Sequence, residues 1–206
     1  MTEIAWILFD LGGVLVEIDQ ARIFTCLSSL TGRQVPEIRN KIYSEPDLWQ
    51  HFIRNEWDAA TLVREVNRLL GCDLVEADIV GAFNQELGDA IESTASVIPK
   101  LLQQGIQVGC LSNTNSVHWK YLQTSYDFMS LFKVQFASQE LGAAKPDAEI
   151  YQMVEEKLQV KGNELLFFDD RLENIEAART RGWRAYQYLG HDSIVSALTN
   201  HGLSIA

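Results

Sequence analysis

Four short apolar runs in this chain each stop at polar residues, and this repeat constrains the fold more than any other feature of the sequence. Ile4 to Phe9 ends at Asp10-Leu11-Gly12-Gly13, and Ile106 to Leu111 ends at Ser112-Asn113. Leu165 to Phe168 ends at Asp169-Asp170, and the shorter Arg184 to Leu189 ends at Gly190-His191-Asp192. Continuous rather than alternating hydrophobicity describes a strand covered on both faces, as in a parallel sheet. Helical signals lie between the runs. Val97 to Gln104 closes on Gly105, and Leu172 to Arg181 closes on Gly182, a residue suited to the end of a helix. Asp147 to Leu158 carries Ile150, Met153, Val154 and Leu158 at helical spacing. Strand and helix in alternation predict an α/β fold with a Rossmann-like, doubly wound parallel sheet.

Residues from about 20 to 90 break that rhythm, with no run that reads as a buried strand. Arg22 to Leu30, Asp58 to Leu70 and Val75 to Leu87 read as helices, the second capped by Asp58 and followed by Gly71. The expected organisation is a core of residues 1–17 and 92–206, with a small all-helical cap at 18–91 inserted after the first strand.

Composition narrows the function classes. Of 206 residues 47% are hydrophobic, enough for a packed core, and the formal net charge is -11. So acidic a surface repels nucleic acid and anionic membranes, and neither is expected as a partner. Nothing in the sequence points to an obligate protein partner. An anionic substrate must then be held by local positive features. Cys26, Cys72 and Cys110 are far apart, which argues against a disulfide framework or zinc site and fits a reducing cytoplasm. The first apolar run is too short for a signal peptide or a membrane span, and no basic segment precedes it.

In open α/β sheets ligands bind outside the carboxyl ends of the strands. Asp10, Ser112 and Asp169-Asp170 stand at such ends, and Lys145 lies in the Gly142-Ala143-Ala144-Lys145-Pro146 loop between the second and third sites. Each has a plain structural explanation alone. Asp10 could start a turn, Ser112 could cap a helix, Lys145 could be a solvated loop residue, and Asp169-Asp170 could complement a helix dipole. Their joint occurrence points to chemistry. Three carboxylates in one cleft repel each other unless a cation is present. Oxygen ligands from carboxylates, a backbone carbonyl and water suit Mg²⁺. With the ion in place Asp10 can attack a phosphoryl group, while Ser112 and Lys145 donate to its oxygens.

These stretches resemble the haloacid dehalogenase superfamily. Phe9-Asp10-Leu11-Gly12-Gly13-Val14-Leu15, Leu111-Ser112-Asn113-Thr114-Asn115, Gly142 to Pro146 with Ile150-Tyr151, and Phe167-Phe168-Asp169-Asp170 with Asn174 resemble its four motifs in order and spacing. The region after the first motif resembles its small helical cap. Ser112 to Asn115 with His118 is similar to the bacterial α-D-glucose-1-phosphate phosphatases. The resemblance implies a Mg²⁺-dependent phosphatase with Asp10, Ser112 and Lys145 catalytic. It also implies a metal held by Asp10, Gly12 (through its carbonyl), Asp169 and Asp170, and phosphate held by Gly12, Gly13, Ser112, Asn113 and Lys145. The implied substrate is a small phosphorylated metabolite, with a sugar 1-phosphate favoured.

One departure matters. Phosphatases of this superfamily usually carry a second Asp two residues after the nucleophile, for proton transfer. Here that position is Gly12, a gap that costs on the order of 10² to 10⁴ in rate if nothing replaces it. An anomeric hydroxyl leaves more readily than an ordinary alcohol, so a sugar 1-phosphate suffers less. Glu17, Asp19 or a cap residue are the open candidates for its replacement. A 2-haloacid dehalogenase, which needs neither proton donor nor metal, and a phosphate-binding member without turnover are the competing readings. A phosphomutase is disfavoured because it needs the missing group. In the cap, Trp49 to Glu56 mixes aromatics with His51 and Arg54, either a solvated amphipathic helix or side chains reaching the cleft. His118 is expected on a helix face rather than as a ligand.

Overall fold

The computed structural model of this protein describes residues 3–45, 48, 51 and 56–205. Its five-stranded sheet is formed by β1 (Trp6–Phe9), β4 (Gln107–Ser112), β5 (Val134–Ala137), β6 (Leu165–Asp169) and β7 (Arg184–Gln187), in the order β5-β4-β1-β6-β7. All neighbours are parallel, and Phe9 of β1 pairs with Cys110 on one side and Phe168 on the other. This register sets Asp10 level with Leu111 and Asp169, at one edge of the sheet.

Two apolar layers explain why the strand sequences are continuously hydrophobic. Ile7, Phe9, Cys110 and Phe168 pack on one face with Ile98, Leu101 and Leu198 from flanking helices. Leu8, Leu111 and Phe167 pack on the other with Ile150, Tyr151 and Ile175. Neighbouring residues of one strand therefore enter different cores, and neither set is free to be polar. The aromatic rings add directional packing: Phe9 stacks on Phe168 with centroids 5.4 Å apart, and Tyr151 meets Trp183 edge-on at 5.2 Å.

The structure departs from the sequence reading in three places. Val134–Ala137 forms an unexpected fifth strand at the sheet edge, with Val134 and Gln135 half-buried and Phe136 and Ala137 buried. β7 stops at Gln187, and Leu189 is 78% exposed, outside the sheet. The helix expected over Val75 to Leu87 runs only from Glu76 to Asn84. Leu87–Ala90 is instead β3, paired antiparallel with β2 (Val16–Ile18), and the Asp19 N–H donates to the Glu86 carbonyl at 2.9 Å. That carbonyl is drawn out of helical pairing, so residues 21–84 are entered and left through a two-stranded ribbon and the insert is not purely helical. Ala21–Thr31, Val35–Tyr43, Ala59–Leu70 and Glu76–Asn84 enclose a separate apolar cluster that includes Phe24, Leu27, Val66 and Phe83. Asp58 caps Ala59–Leu70, its Oδ1 accepting from Thr61 N–H at 2.8 Å, and Gly71 ends that helix in the left-handed conformation. Among the described residues no helix is long and apolar enough to cross a membrane, and the three cysteines are free thiols.

Candidate active site

Asp10 begins the turn after β1. Its main-chain N–H still donates to Phe168 O at 2.8 Å, continuing the sheet by one residue, and its Oδ1 accepts from Leu11 N–H at 2.7 Å. The chain then reverses through Gly13, whose φ is +74°. A Cβ there would also lie 2.6 Å from Asp170 Oδ2, so glycine is required both by the backbone conformation and by the approach of the acid. Asp169 ends β6 fully buried, and Asp170 follows it to the cleft surface. The carboxylates of Asp10, Asp169 and Asp170 bring one oxygen each to within 4.8 Å of one another.

Lys145 is the counter-charge. Its main chain is held on both sides by one amide: Asn113 Nδ2 donates to Lys145 O at 2.7 Å, and Lys145 N–H donates to Asn113 Oδ1 at 2.8 Å. Its Nζ has three partners, Asp169 Oδ2 at 2.6 Å, Leu111 O at 2.8 Å and Asp10 Oδ1 at 3.1 Å. Three ammonium protons therefore meet three acceptors. Asp169 is equally occupied: besides Lys145 it accepts from Arg171 N–H at 2.9 Å and from Asn174 Nδ2 at 2.9 and 3.0 Å.

The electrostatics follow from burial and from these neighbours. Desolvation pushes the Asp10 carboxyl up to about 7, assisted by Asp169 and opposed by Lys145. Burial also works against the charge on Asp169, but Lys145 and the N–H donors more than offset it and hold that carboxyl below its usual range. Lys145 is desolvated too, yet Asp10 and Asp169 keep its ammonium above the ordinary lysine value. Asp170 is pushed up by partial desolvation and then by the charge of Asp169. Two of the three acids are thus strained toward protonation at the place where an all-oxygen donor set converges. A hard divalent cation such as Mg²⁺ fits that set and relieves that strain.

A cleft of about 410 Å³ opens in front of these residues, lined by Asp10, Gly12, Gly13, Ser112, Asn113 and Asp170. Ile18, Gln20, Glu86, Leu87, Asn115 and His118 complete its wall. The sequence-predicted residues Asp10, Gly12, Gly13, Ser112, Asn113, Lys145, Asp169 and Asp170 are therefore brought together, with two refinements. The Asn113 side chain is committed to Lys145 and leaves only its main chain to face an anion. Asp169 lies behind the cleft wall and is bound up with Lys145 and Asn174.

His118 lies buried in the cleft wall. Asn115 Oδ1 accepts from His118 N–H at 2.8 Å, and the ring bridges Asn115 Nδ2 at 3.2 Å and Phe83 O at 3.0 Å. A carbonyl only accepts, so this network assigns the ring proton to Nε2. Burial pushes the imidazole down to about 4. Between that value and the ~6.5 of an unfolded chain, the unfolded state binds a proton that the folded state does not, so stability falls as pH is lowered through this window, by up to ~3 kcal/mol. His118→Gln is expected to remove that increment. Denaturant unfolding at pH 7 and near the lower value then shows the wild type losing more stability than the variant, and an equal loss in both would count against a buried neutral His118. His51 does not line the cleft; it pairs with Glu56 and stacks on Trp57 at 5.2 Å. Trp49, Gln50 and residues 52–55, Arg54 among them, lie outside the described residues. Glu86, by contrast, carried no sequence signal at all.

Comparison with known proteins adds an independent line. A family model described as haloacid dehalogenase-like hydrolase matches residues 4–182. A phosphatase of Mycobacterium tuberculosis is 30% identical over 200 residues, covering 89% of this chain and 86% of that protein. A sesquiterpene phosphatase of Aspergillus oryzae is 29% identical over 181 residues, covering 85% of each. Among solved structures, a HAD family enzyme from Bacteroides thetaiotaomicron in complex with magnesium and inorganic phosphate superposes with a TM-score of 0.79 at 25% identity, over 89% of this chain and 93% of that one.

Proposed function

The chain belongs to the haloacid dehalogenase-like hydrolase family, and from that premise we propose that it is a Mg²⁺-dependent phosphatase acting through an aspartyl-phosphate on Asp10. The carrying observation is the convergence of the Asp10, Asp169 and Asp170 oxygens within 4.8 Å, with Lys145 Nζ 3.1 Å from Asp10 Oδ1. Asp10, Asp170 and the Gly12 carbonyl are the groups that would hold Mg²⁺ from the cleft side, with Asp169 orienting Lys145 behind them and completing the negative field. The ion supplies charge neutralisation between the Asp10 carboxylate and an incoming phosphate dianion. Ser112, the Gly12-Gly13 turn and the main chain at Asn113 are the phosphate-facing groups, and residues 18–91 serve as the cap that closes over the substrate.

The cleft favours a small hydroxylated leaving group, such as a sugar phosphate with a sugar 1-phosphate preferred. Gln20 and Glu86 place polar side chains in its wall, and the spare acceptor capacity of Glu86 can meet a substrate hydroxyl but not a hydrocarbon. Free thiols at Cys26, Cys72 and Cys110 support a reducing compartment such as the cytoplasm. A dehalogenase requires no metal, whereas the converging oxygens of Asp10, Asp169 and Asp170 suit a hard divalent cation. The test is a phosphate-release screen over sugar and polyol phosphates with Mg²⁺ and with a chelator. Release at least about 10²-fold lower under chelation, restored by added Mg²⁺, is the expected result. Full activity in the chelator would overturn the reading.

A further inference from the structure

We infer that Glu86 is the proton-transfer residue of this site, replacing the acid missing at position 12; the inference rests on the phosphatase reading above. Position 12 itself is crowded against a side chain wherever such a group would start. A Cβ on Gly12 would lie 3.2 Å from Ile18 Cγ1 and 3.3 Å from its Cδ1, closer than ordinary van der Waals contact allows without a shift. Ile18 is in turn paired in register with Leu87 across the ribbon, and Asp19 N–H is bonded to Glu86 O. The ribbon that covers Gly12 therefore delivers Glu86 to the same cleft, where its side chain is 10% exposed in the wall.

Elimination among the described residues that line the cleft leads to the same group. Five of them ionise: Asp10, Asp170, Arg171, His118 and Glu86. Asp10 and Asp170 are taken by the nucleophile and metal roles. Arg171 keeps its protons at any working pH and is ion-paired with Glu173 at 2.5 Å. The two ring nitrogens of His118 are used by Asn115 and Phe83 O, so His118 has no proton to exchange. Glu17 and Asp19 do not line the cleft, and Asp19 Oδ1 accepts from Ala21 N–H at 3.0 Å. Glu86 remains. Its Oε2 is 3.7 Å from His118 Nε2, too long for a hydrogen bond, and the imidazole there is neutral. Gln20 donates to Glu86, and burial raises its carboxyl, the direction an acid needs to hold a proton near neutrality.

The step balances as follows. Asp10 forms a bond to phosphorus while the bond from phosphorus to the leaving oxygen breaks, and the Glu86 proton passes to that oxygen to give the alcohol. Water then attacks the aspartyl-phosphate and gives its proton to the Glu86 carboxylate. The bond from phosphorus to Asp10 breaks, releasing phosphate and restoring both residues. His118 is a positioning residue that holds the wall to Phe83.

Aryl phosphates test this, because phenyl phosphate and p-nitrophenyl phosphate share a shape and differ in how much the leaving oxygen needs a proton. With Mg²⁺, Glu86→Gln is expected to lower kcat/KM, which reports only the step that expels the leaving group, by about 10² or more on phenyl phosphate while kcat/KM on p-nitrophenyl phosphate stays within several-fold of wild type. Retained p-nitrophenyl phosphate cleavage also reports an intact fold. Equal losses of kcat/KM on both substrates, or no loss on either, would overturn the assignment. In Glu86→Ala, formate is expected to restore phenyl phosphate turnover selectively, an effect that a packing role could not produce. Failure of the phosphatase reading looks different: neither substrate is cleaved by wild type, or cleavage survives Asp10→Asn.

Discussion

Asp10→Asn is expected to abolish Mg²⁺-dependent phosphate release, lowering kcat by about 10⁴-fold or more, the scale lost when a covalent nucleophile is removed. Asn has the shape of Asp but cannot form an acyl phosphate. The substitution should spare the fold. Its Oδ1 can still accept from Leu11 N–H, and Lys145 keeps Asp169 Oδ2 and Leu111 O. Burial pushes the Asp10 carboxyl to about 7, so ionised Asp10 opposes folding and its neutral replacement stays within about 1 kcal/mol of wild type or exceeds it. Loss of activity with an unchanged melting temperature is the signature. A hydroxylamine-sensitive phosphoenzyme, trapped from wild type and absent from the variant, provides the direct readout. Phosphate release that continues at the wild-type rate would remove Asp10 from the mechanism.

The core and the acid end of the site were legible because two physical constraints write themselves into sequence. A strand buried on both faces has to be continuously apolar, so β1, β4 and β6 stood out. Polar residues that interrupt such a strand stand at its carboxyl end, so Asp10, Ser112 and Asp169-Asp170 read together as one site. β5 leaves no such mark because Val134–Ala137 is short and only half-covered at the sheet edge, and mixes Gln135 with its apolar residues. The β2–β3 ribbon is silent in the sequence for a different reason. Leu87-Gly88-Asp89-Ala90 has little strand preference of its own, and its pairing is set by contact with Val16–Ile18, which lies far away in sequence. Glu86 went unseen with it. An acid between a helix and an unrecognised strand has no pattern to mark it, whereas the ribbon's register brings it beside the residue that covers Gly12. The double bond from Asn113 to the Lys145 main chain is likewise a tertiary fact: the motif showed the amide, and the fold shows what it holds.

Lys145→Met is expected to cost both activity and stability, with the second loss depending on metal. Methionine fills much of the same volume, and the Asn113 bonds to the main chain at position 145 remain available. The charge does not survive. Asp10 and Asp169 would face each other without the ammonium that now lies 3.1 and 2.6 Å from them, and Leu111 O would lose its side-chain donor. Removing one member of a buried ion pair costs about 3–5 kcal/mol, which in a chain of this length lowers the melting temperature by roughly 10 °C. Protonation of Asp10, already pushed toward neutrality, limits the loss. A divalent cation can replace part of the missing positive charge, so Mg²⁺ should raise the melting temperature of the variant by more than that of wild type. Activity should fall about 10² to 10³-fold, the scale of one lost electrostatic donor. All three Nζ protons are already engaged, and the bond to Asp10 is the longest. On the proposed mechanism it is the one to be exchanged for a phosphoryl oxygen as Asp10 turns to attack. Equal Mg²⁺ shifts in variant and wild type would mean that Lys145 and the metal do not act on the same carboxylates.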